Sequence, residues 1–71
     1  MTNATETSKI KILSAAQTPK TLEALAHAGI VRGQYGITAL RARKIVEAMA
    51  KSGALTVSYD LCHCRLFAAN S

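Results

Sequence analysis

The chain has 71 residues, with nine Lys and Arg against four Asp and Glu, and therefore a formal net charge of +5 and a pI near 9.7. This length fits one small domain and excludes separate catalytic and regulatory domains. The positive charge favours a polyanionic partner, most commonly nucleic acid, although charge that merely prevents association is the plainer alternative.

Neither a membrane span nor a secretory signal is predicted. Charged residues interrupt every apolar run before it reaches the roughly 18 residues that a span requires. The opening segment, MTNATETSK, lacks the basic and apolar parts of a signal peptide. We therefore expect a cytoplasmic location, no membrane partner, and reduced thiols at Cys62 and Cys64.

Residues 1–7 are polar and show no periodicity, which predicts a disordered arm before a domain at residues 8–69. Ser8 is the expected cap of a first helix. Apolar residues at helical spacing in this helix are Ile10, Leu13 and Ala16. Because Ile10 and Ile12 also alternate with lysines, a strand is the alternative for this segment.

A second helix is predicted within TPKTLEALAHAGI, residues 18–30. Thr18 or Thr21 can cap it, and Gly29 is expected to take the left-handed position after its last turn. The next segment, VRGQYG, contains two glycines and no periodicity, so it is predicted to be a loop.

The third helix, residues 38–52, is predicted with Thr38 as its cap and Gly53 just past its end. At 100° per residue, one arc of this helix is apolar and consists of Ala42, Ile45, Val46 and Met49. The opposite side is charged and consists of Arg43, Lys44, Glu47 and Lys51. Leu40 falls among the charged residues.

The pattern changes to period two over residues 55–68, which predicts a β-hairpin. Placing both apolar sets on one face gives the pairs Tyr59 with Cys64, Val57 with Leu66 and Leu55 with Ala68. This register makes residues 60–63 the connection. It also puts Cys64 in the core and Phe67 on the exposed face.

The segment DLCHCR does not have the spacing of a metal or catalytic site. A structural zinc site needs four ligands in separated pairs, whereas Cys62, His63 and Cys64 are adjacent and the one further Cys or His in the sequence is the distant His27. Adjacent strand residues face apart, so a thiol and imidazole here do not form a nucleophile and base. We expect no enzyme activity, metal, cofactor or small-molecule substrate.

Two short helices, a longer basic helix and a tight hairpin form an order that resembles the winged helix-turn-helix superfamily. TLEALA resembles its second helix, and ARKIVEAMAKSGAL is similar to its recognition helix and the glycine that starts the wing. The family's apolar positions eleven, seven and four residues before that glycine are Ala42, Val46 and Met49 here. The resemblance covers about residues 9–69 and implies an α+β fold, three helices followed by a C-terminal β-hairpin wing.

The resemblance implies a sequence-specific transcriptional regulator that binds double-stranded DNA, with a homodimer to read paired half-sites. Its third helix enters the major groove, where arginine grips guanine and Leu40 meets a thymine methyl group. The long connection before this helix and the basic hairpin tip add contacts. The predicted DNA-binding residues are Arg32, Gln34, Thr38, Leu40, Arg41, Arg43, Lys44, His63 and Arg65.

Two other functions are compatible with the sequence. A small inhibitor or adaptor that binds protein on the same scaffold is favoured by exposed Leu40, Leu61 and Phe67. Gly33 and Gly36 resemble the backbone-clamping loop of a KH RNA-binding domain, a fold that also needs a further strand and a final helix. The feature that discriminates DNA binding from the inhibitor function is whether Arg41, Arg43, Lys44 and Arg65 form one continuous positive face; an apolar surface lacking that face favours the inhibitor.

Overall fold

The computed structural model describes residues 3–70 as three helices followed by a two-stranded antiparallel hairpin. The elements are α1 (Ala4–Ala15), α2 (Leu22–Ala28), α3 (Ala39–Ser52), β1 (Leu55–Tyr59) and β2 (Arg65–Ala69). The predicted α+β class is confirmed, and the arrangement is consistent with a winged-helix layout. Within the described residues, no helix combines the length and apolarity needed to cross a bilayer.

Helix α1 begins at Ala4, so the prediction of a disordered arm is wrong for residues 3–7, and residues 1 and 2 lie outside the described part. The side chain of Asn3, rather than Ser8, caps the helix by accepting a hydrogen bond from the Glu6 backbone N–H at 2.8 Å. Glu6 lies in the first turn, where its negative charge interacts favourably with the positive end of the helix dipole. A polar sequence therefore forms a helix because its terminus is capped.

Ser8 is fully buried and joins α1 to α2. Its hydroxyl donates to the carbonyl oxygen of Gly29 at 2.7 Å, which satisfies both groups in the interior. The face of α1 that packs inward is thus Ser8, Ile12 and Ala16. Of the predicted set, Ala16 is buried and Leu13 is half-buried, whereas Ile10 is 60% exposed. The buried serine determines the rotation of the helix.

Helix α2 is capped by Thr21, whose hydroxyl accepts from the Ala24 backbone N–H. The prediction of a left-handed Gly29 is wrong, because its φ is −82°. Close packing favours glycine there instead: an added Cβ would lie 2.9 Å from both the Ile12 side chain and the Ser8 hydroxyl oxygen, so one of these side chains would have to move. Gly29 therefore lets α1 and the end of α2 approach each other.

Helix α3 agrees with the prediction at both ends and on both faces. Thr38 caps its start by accepting from the Arg41 backbone N–H, and Gly53 follows its end in the left-handed conformation with φ of 89°. The predicted apolar arc is buried, namely Ala42, Ile45, Val46 and Met49. The inward face of α3 completes a core with α1, α2 and the hairpin, where Leu25, Ile37 and Phe67 are also buried.

The hairpin is paired one residue out of the predicted register. The observed pairs include Leu55 with Ala69, Val57 with Phe67 and Tyr59 with Arg65. Because side chains alternate along a strand, this shift exchanges the two faces of β2. Phe67, predicted to be exposed, is a core residue with 1% exposure, and Cys64, predicted to be in the core, is exposed.

The turn at the hairpin tip causes this shift. Asp60 donates its backbone N–H to the Cys64 carbonyl at 3.1 Å, which leaves a three-residue loop between them. His63 has a φ of 63°, the left-handed position that glycine usually occupies in such loops. The Asp60 carboxylate accepts from the backbone N–H groups of Cys62 and Cys64 at 2.8 and 2.9 Å and holds the loop.

Candidate nucleic-acid interface

The outward side of α3 carries a charged stripe along its length. Residues opposite the buried arc, at spacings of three and four, are Leu40, Lys44, Glu47 and Lys51. All four are exposed, and Leu40, at 66%, is a large apolar side chain beside Lys44. We name these four residues the outer stripe. It is the part of α3 that projects farthest from the core.

Arg41 and Arg43 lie on opposite flanks of the outer stripe. At 100° per residue, their side chains start about 160° apart around the helix axis. Arg43 lies beside α2 and shares a shallow depression with Glu23 and His27. Both arginines are exposed. They therefore flank the stripe on two sides instead of joining it.

The connection between α2 and α3 is a closed loop, and two of the predicted DNA-binding residues, Arg32 and Gln34, lie on it just before α3 begins. Val31 and Ile37 exchange backbone hydrogen bonds of 3.0 and 2.8 Å, so the segment between them is folded back on itself. Arg32 and Gln34 are exposed on this loop. Tyr35, which the sequence did not single out, is 83% exposed between them and α3.

The two glycines of this loop, Gly33 and Gly36, are each explained by the local backbone. An added Cβ at Gly36 would lie 1.9 Å from the Val31 carbonyl oxygen, so only glycine allows the loop to close. Gly33 has a φ of 120°, which favours glycine in the turn. Both glycines therefore have local structural roles.

Thr38 has a structural role at the same end of α3. Its side-chain oxygen accepts the Arg41 backbone N–H at 3.3 Å and thereby satisfies one of the free donors of the first turn. The cap fixes where α3 begins. It thus determines where Leu40 and Arg41 stand relative to the loop.

A groove of about 600 Å³ separates α3 from the hairpin. Lys44, Glu47 and Lys51 line its helix side, and Val57 and Arg65 line its hairpin side above the Phe67 ring. The groove is open to solvent and, by residue type, three of its side chains are cationic and one is acidic. Lys51 was not predicted as a site residue, although it lies seven positions after Lys44 on the same helix face.

Arg65 is held in this groove by two contacts. Its guanidinium lies 3.9 Å from the Glu47 carboxylate, and its central carbon lies 5.5 Å above the centroid of the Phe67 ring. Both charged side chains are about half exposed, so the ion pair contributes at most about 1 kcal/mol to stability. The pair is better described as a positioning contact that orients Arg65 toward α3.

The hairpin tip is separate from the groove. His63 lies in the loop with Cys62 and Cys64, all of them exposed, and Leu61 is completely exposed. Among residues 3–70, no three His, Cys, Asp or Glu side chains are grouped so that they could hold a metal ion. Cys62 and Cys64 are free thiols on a turn that the Asp60 side chain organises.

The structure thus brings Lys44 and Arg65 to one groove, with Leu40 further along the outer stripe, and places Arg41 and Arg43 on the flanks of that stripe. The other predicted residues lie ahead of α3 or at the hairpin tip. Phe67 no longer favours the inhibitor alternative, because it is buried. No protein-family model, curated protein or solved structure matches the chain.

Proposed function

We propose that the protein is a cytoplasmic, sequence-specific regulator that binds double-stranded DNA, with α3 in the major groove and the hairpin as the wing. The observation that carries this proposal is the cationic groove between α3 and the hairpin. In a winged-helix layout this is the side on which a recognition helix and wing meet DNA. The outer stripe then faces the base edges of the DNA. The flanking arginines, Arg41 and Arg43, face the phosphates on either side of the DNA major groove.

The distribution of charge supports the same surface. Six of the nine basic residues and two of the four acids lie from Arg32 onward, so this part of the chain carries +4 of the formal net charge of +5. Glu47 is the only acid in α3, and its partner Arg65 is on the hairpin. A phosphate approaching the groove meets an excess of cations, which is the electrostatic requirement for binding a duplex.

Leu40 has a chemical role in this proposal. Leu40 is exposed on a charged helix face. Its side chain offers an apolar contact to the thymine methyl group in the major groove. Lys44, one turn later, offers a donor to the guanine edge. These two residues are the proposed readers of sequence, and the flanking arginines supply position and affinity.

Glu47 provides a test that separates this surface from the rest of the protein. Changing Glu47→Gln removes the acid from the groove and releases Arg65, so affinity for a random duplex should rise by roughly tenfold at low salt. Fluorescence anisotropy with a labelled duplex measures the change.

The matched control is Glu6→Gln, which alters the charge of the chain by the same amount on the first turn of α1. We expect it to leave duplex affinity nearly unchanged. Equal increases from the two substitutions would show that binding follows net charge alone, and the α3 surface would lose its support.

A further inference from the structure

The two edges of the hairpin differ in how their backbone groups are satisfied. In an antiparallel pair of strands, hydrogen-bonded and non-hydrogen-bonded residue pairs alternate. Because the Asp60 N–H bonds to the Cys64 carbonyl, the backbone N–H and C=O groups of Ser58 and Thr56 also point toward β2. The N–H and C=O groups of the alternate residues point to the outer edges. On β1 these outward residues are Leu55, Val57 and Tyr59; on β2 they are Arg65, Phe67 and Ala69.

The outer edge of β2 is covered by the chain itself. Phe67 donates its N–H to the Lys20 carbonyl at 2.7 Å and accepts from the Lys20 N–H at 3.0 Å, and Ala69 donates to the Ala16 carbonyl at 2.9 Å. Within residues 3–70, no backbone group is paired with the outward side of Val57 or Tyr59. β1 is therefore the open edge of the sheet.

The open edge lacks the features that normally prevent strand pairing. Its sequence, LTVSY, contains no charge, proline or glycine, whereas exposed edges are usually protected by lysine, proline or a bulge. Val57 and Tyr59 are 39% and 64% exposed. Such a strand is a template for an added antiparallel strand.

The sequence of β1 is complementary to itself when it is reversed about its middle residue. Antiparallel pairing centred on Val57 puts Val57 opposite its own copy, Leu55 opposite Tyr59, and Thr56 opposite Ser58. All outward backbone groups then face one another, apolar side chains meet on one face, and hydroxyl groups meet on the other. The absence of charge on the strand also removes repulsion between the copies at this contact.

We propose that β1 pairs with β1 of a second copy of this chain to form a four-stranded sheet. Opposed residues on neighbouring strands point to the same face, so both α3 helices lie on one side of this sheet. The pairing does not depend on DNA binding. With five residues from each strand it is smaller than a standard interface of roughly 20–30 residues a side, so we expect a dimer that dissociates on dilution.

Disulfide trapping tests the pairing and its register. In a chain with Cys62→Ser and Cys64→Ser, we introduce Val57→Cys or, as a control, Tyr59→Cys. Opposed Val57 residues have Cα atoms about 5.5 Å apart, within disulfide range, whereas the Tyr59 residues of the two copies are about 14 Å apart. Without DNA, diamide should link Val57→Cys into a dimer and leave Tyr59→Cys monomeric on a non-reducing gel. Tyr59 is the more exposed of the two positions, so exposure alone would favour linking of Tyr59→Cys. If Tyr59→Cys links as fast as Val57→Cys or faster, the proposal is overturned.

A mixed experiment separates edge pairing from stacking of two sheet faces. Thr56→Cys and Ser58→Cys chains, each in the same serine background, are combined before oxidation. Edge pairing places these two residues opposite each other on the face away from Val57, so the mixture should form more linked dimer than either variant alone. Linking of Val57→Cys without this gain from the mixture would show face-to-face packing and overturn the proposed pairing. Circular dichroism confirms that each variant is folded.

Discussion

Changing Arg41, Arg43 and Lys44 together to alanine should lower affinity for double-stranded DNA by about a hundredfold or more at low salt. All three are exposed on the outward half of α3, where the proposal places phosphates and base edges. Each lost phosphate contact removes about 0.9 from the slope of log affinity against log salt concentration, so the slope should fall by about 2 to 3. Anisotropy titrations over a range of salt concentrations measure both quantities.

The control removes the same charge from a different part of the fold. Lys9 and Lys11 are on α1, and Lys20 precedes α2, so changing these three to alanine leaves an equal net charge without altering α3. We expect a small loss of affinity from reduced long-range attraction. Similar losses in the two triple variants would mean that the bound duplex does not select the α3 surface.

Replacing Phe67 with alanine should remove a large part of the stability of the domain. Phe67 is 1% exposed in the core, and both of its backbone groups bond to Lys20. Truncating a buried phenylalanine costs about 3–5 kcal/mol, and a domain of this length has a free energy of unfolding of only about 4–11 kcal/mol. Urea denaturation followed by circular dichroism measures the change.

Cys64→Ala is the matched substitution, because the register of the hairpin decides which of the two residues is buried. In the observed register Cys64 is exposed, and its replacement should alter stability by less than about 0.5 kcal/mol. The register expected from the sequence pattern gives the opposite result. A stable Phe67→Ala variant together with an unstable Cys64→Ala variant would contradict the observed pairing.

The helices with strong local signals are the parts that sequence reasoning predicts well. Thr38 and Gly53 bound α3 through a side-chain cap and a left-handed glycine, and the 100° periodicity between them identifies the buried arc. These signals depend on neighbouring residues only. The same periodicity places Leu40 and Lys44 on the exposed side of α3 before any tertiary contact is known.

The errors arise where a distant or unusual contact decides the structure. Ser8 is buried because its hydroxyl reaches Gly29, twenty-one residues away, and this bond determines which face of α1 points inward. His63 occupies a left-handed position without being glycine, so the pattern contains no sign that Asp60 pairs with Cys64 across a three-residue loop. The resulting one-residue change of register reverses the burial of Phe67 and Cys64.

The candidate site inherits both results. Its helix side follows from the periodicity of α3, but the meeting of Arg65 with Glu47 depends on the hairpin register, because Arg65 would face away from α3 if β2 were shifted by one residue. Tyr35 is exposed on a loop that the backbone hydrogen bonds between Val31 and Ile37 close. Pairing across loops and strands is the information that the sequence pattern does not contain.

Binding of the unaltered protein to a random-sequence duplex at two salt concentrations tests the central proposal most directly. With about four phosphate contacts, affinity should fall by about a hundredfold between 50 and 200 mM salt. Anisotropy of a labelled duplex at the two concentrations gives this ratio. Binding that weakens in this way supports the proposal that the protein binds double-stranded DNA, whereas no binding at the lower salt concentration would contradict it.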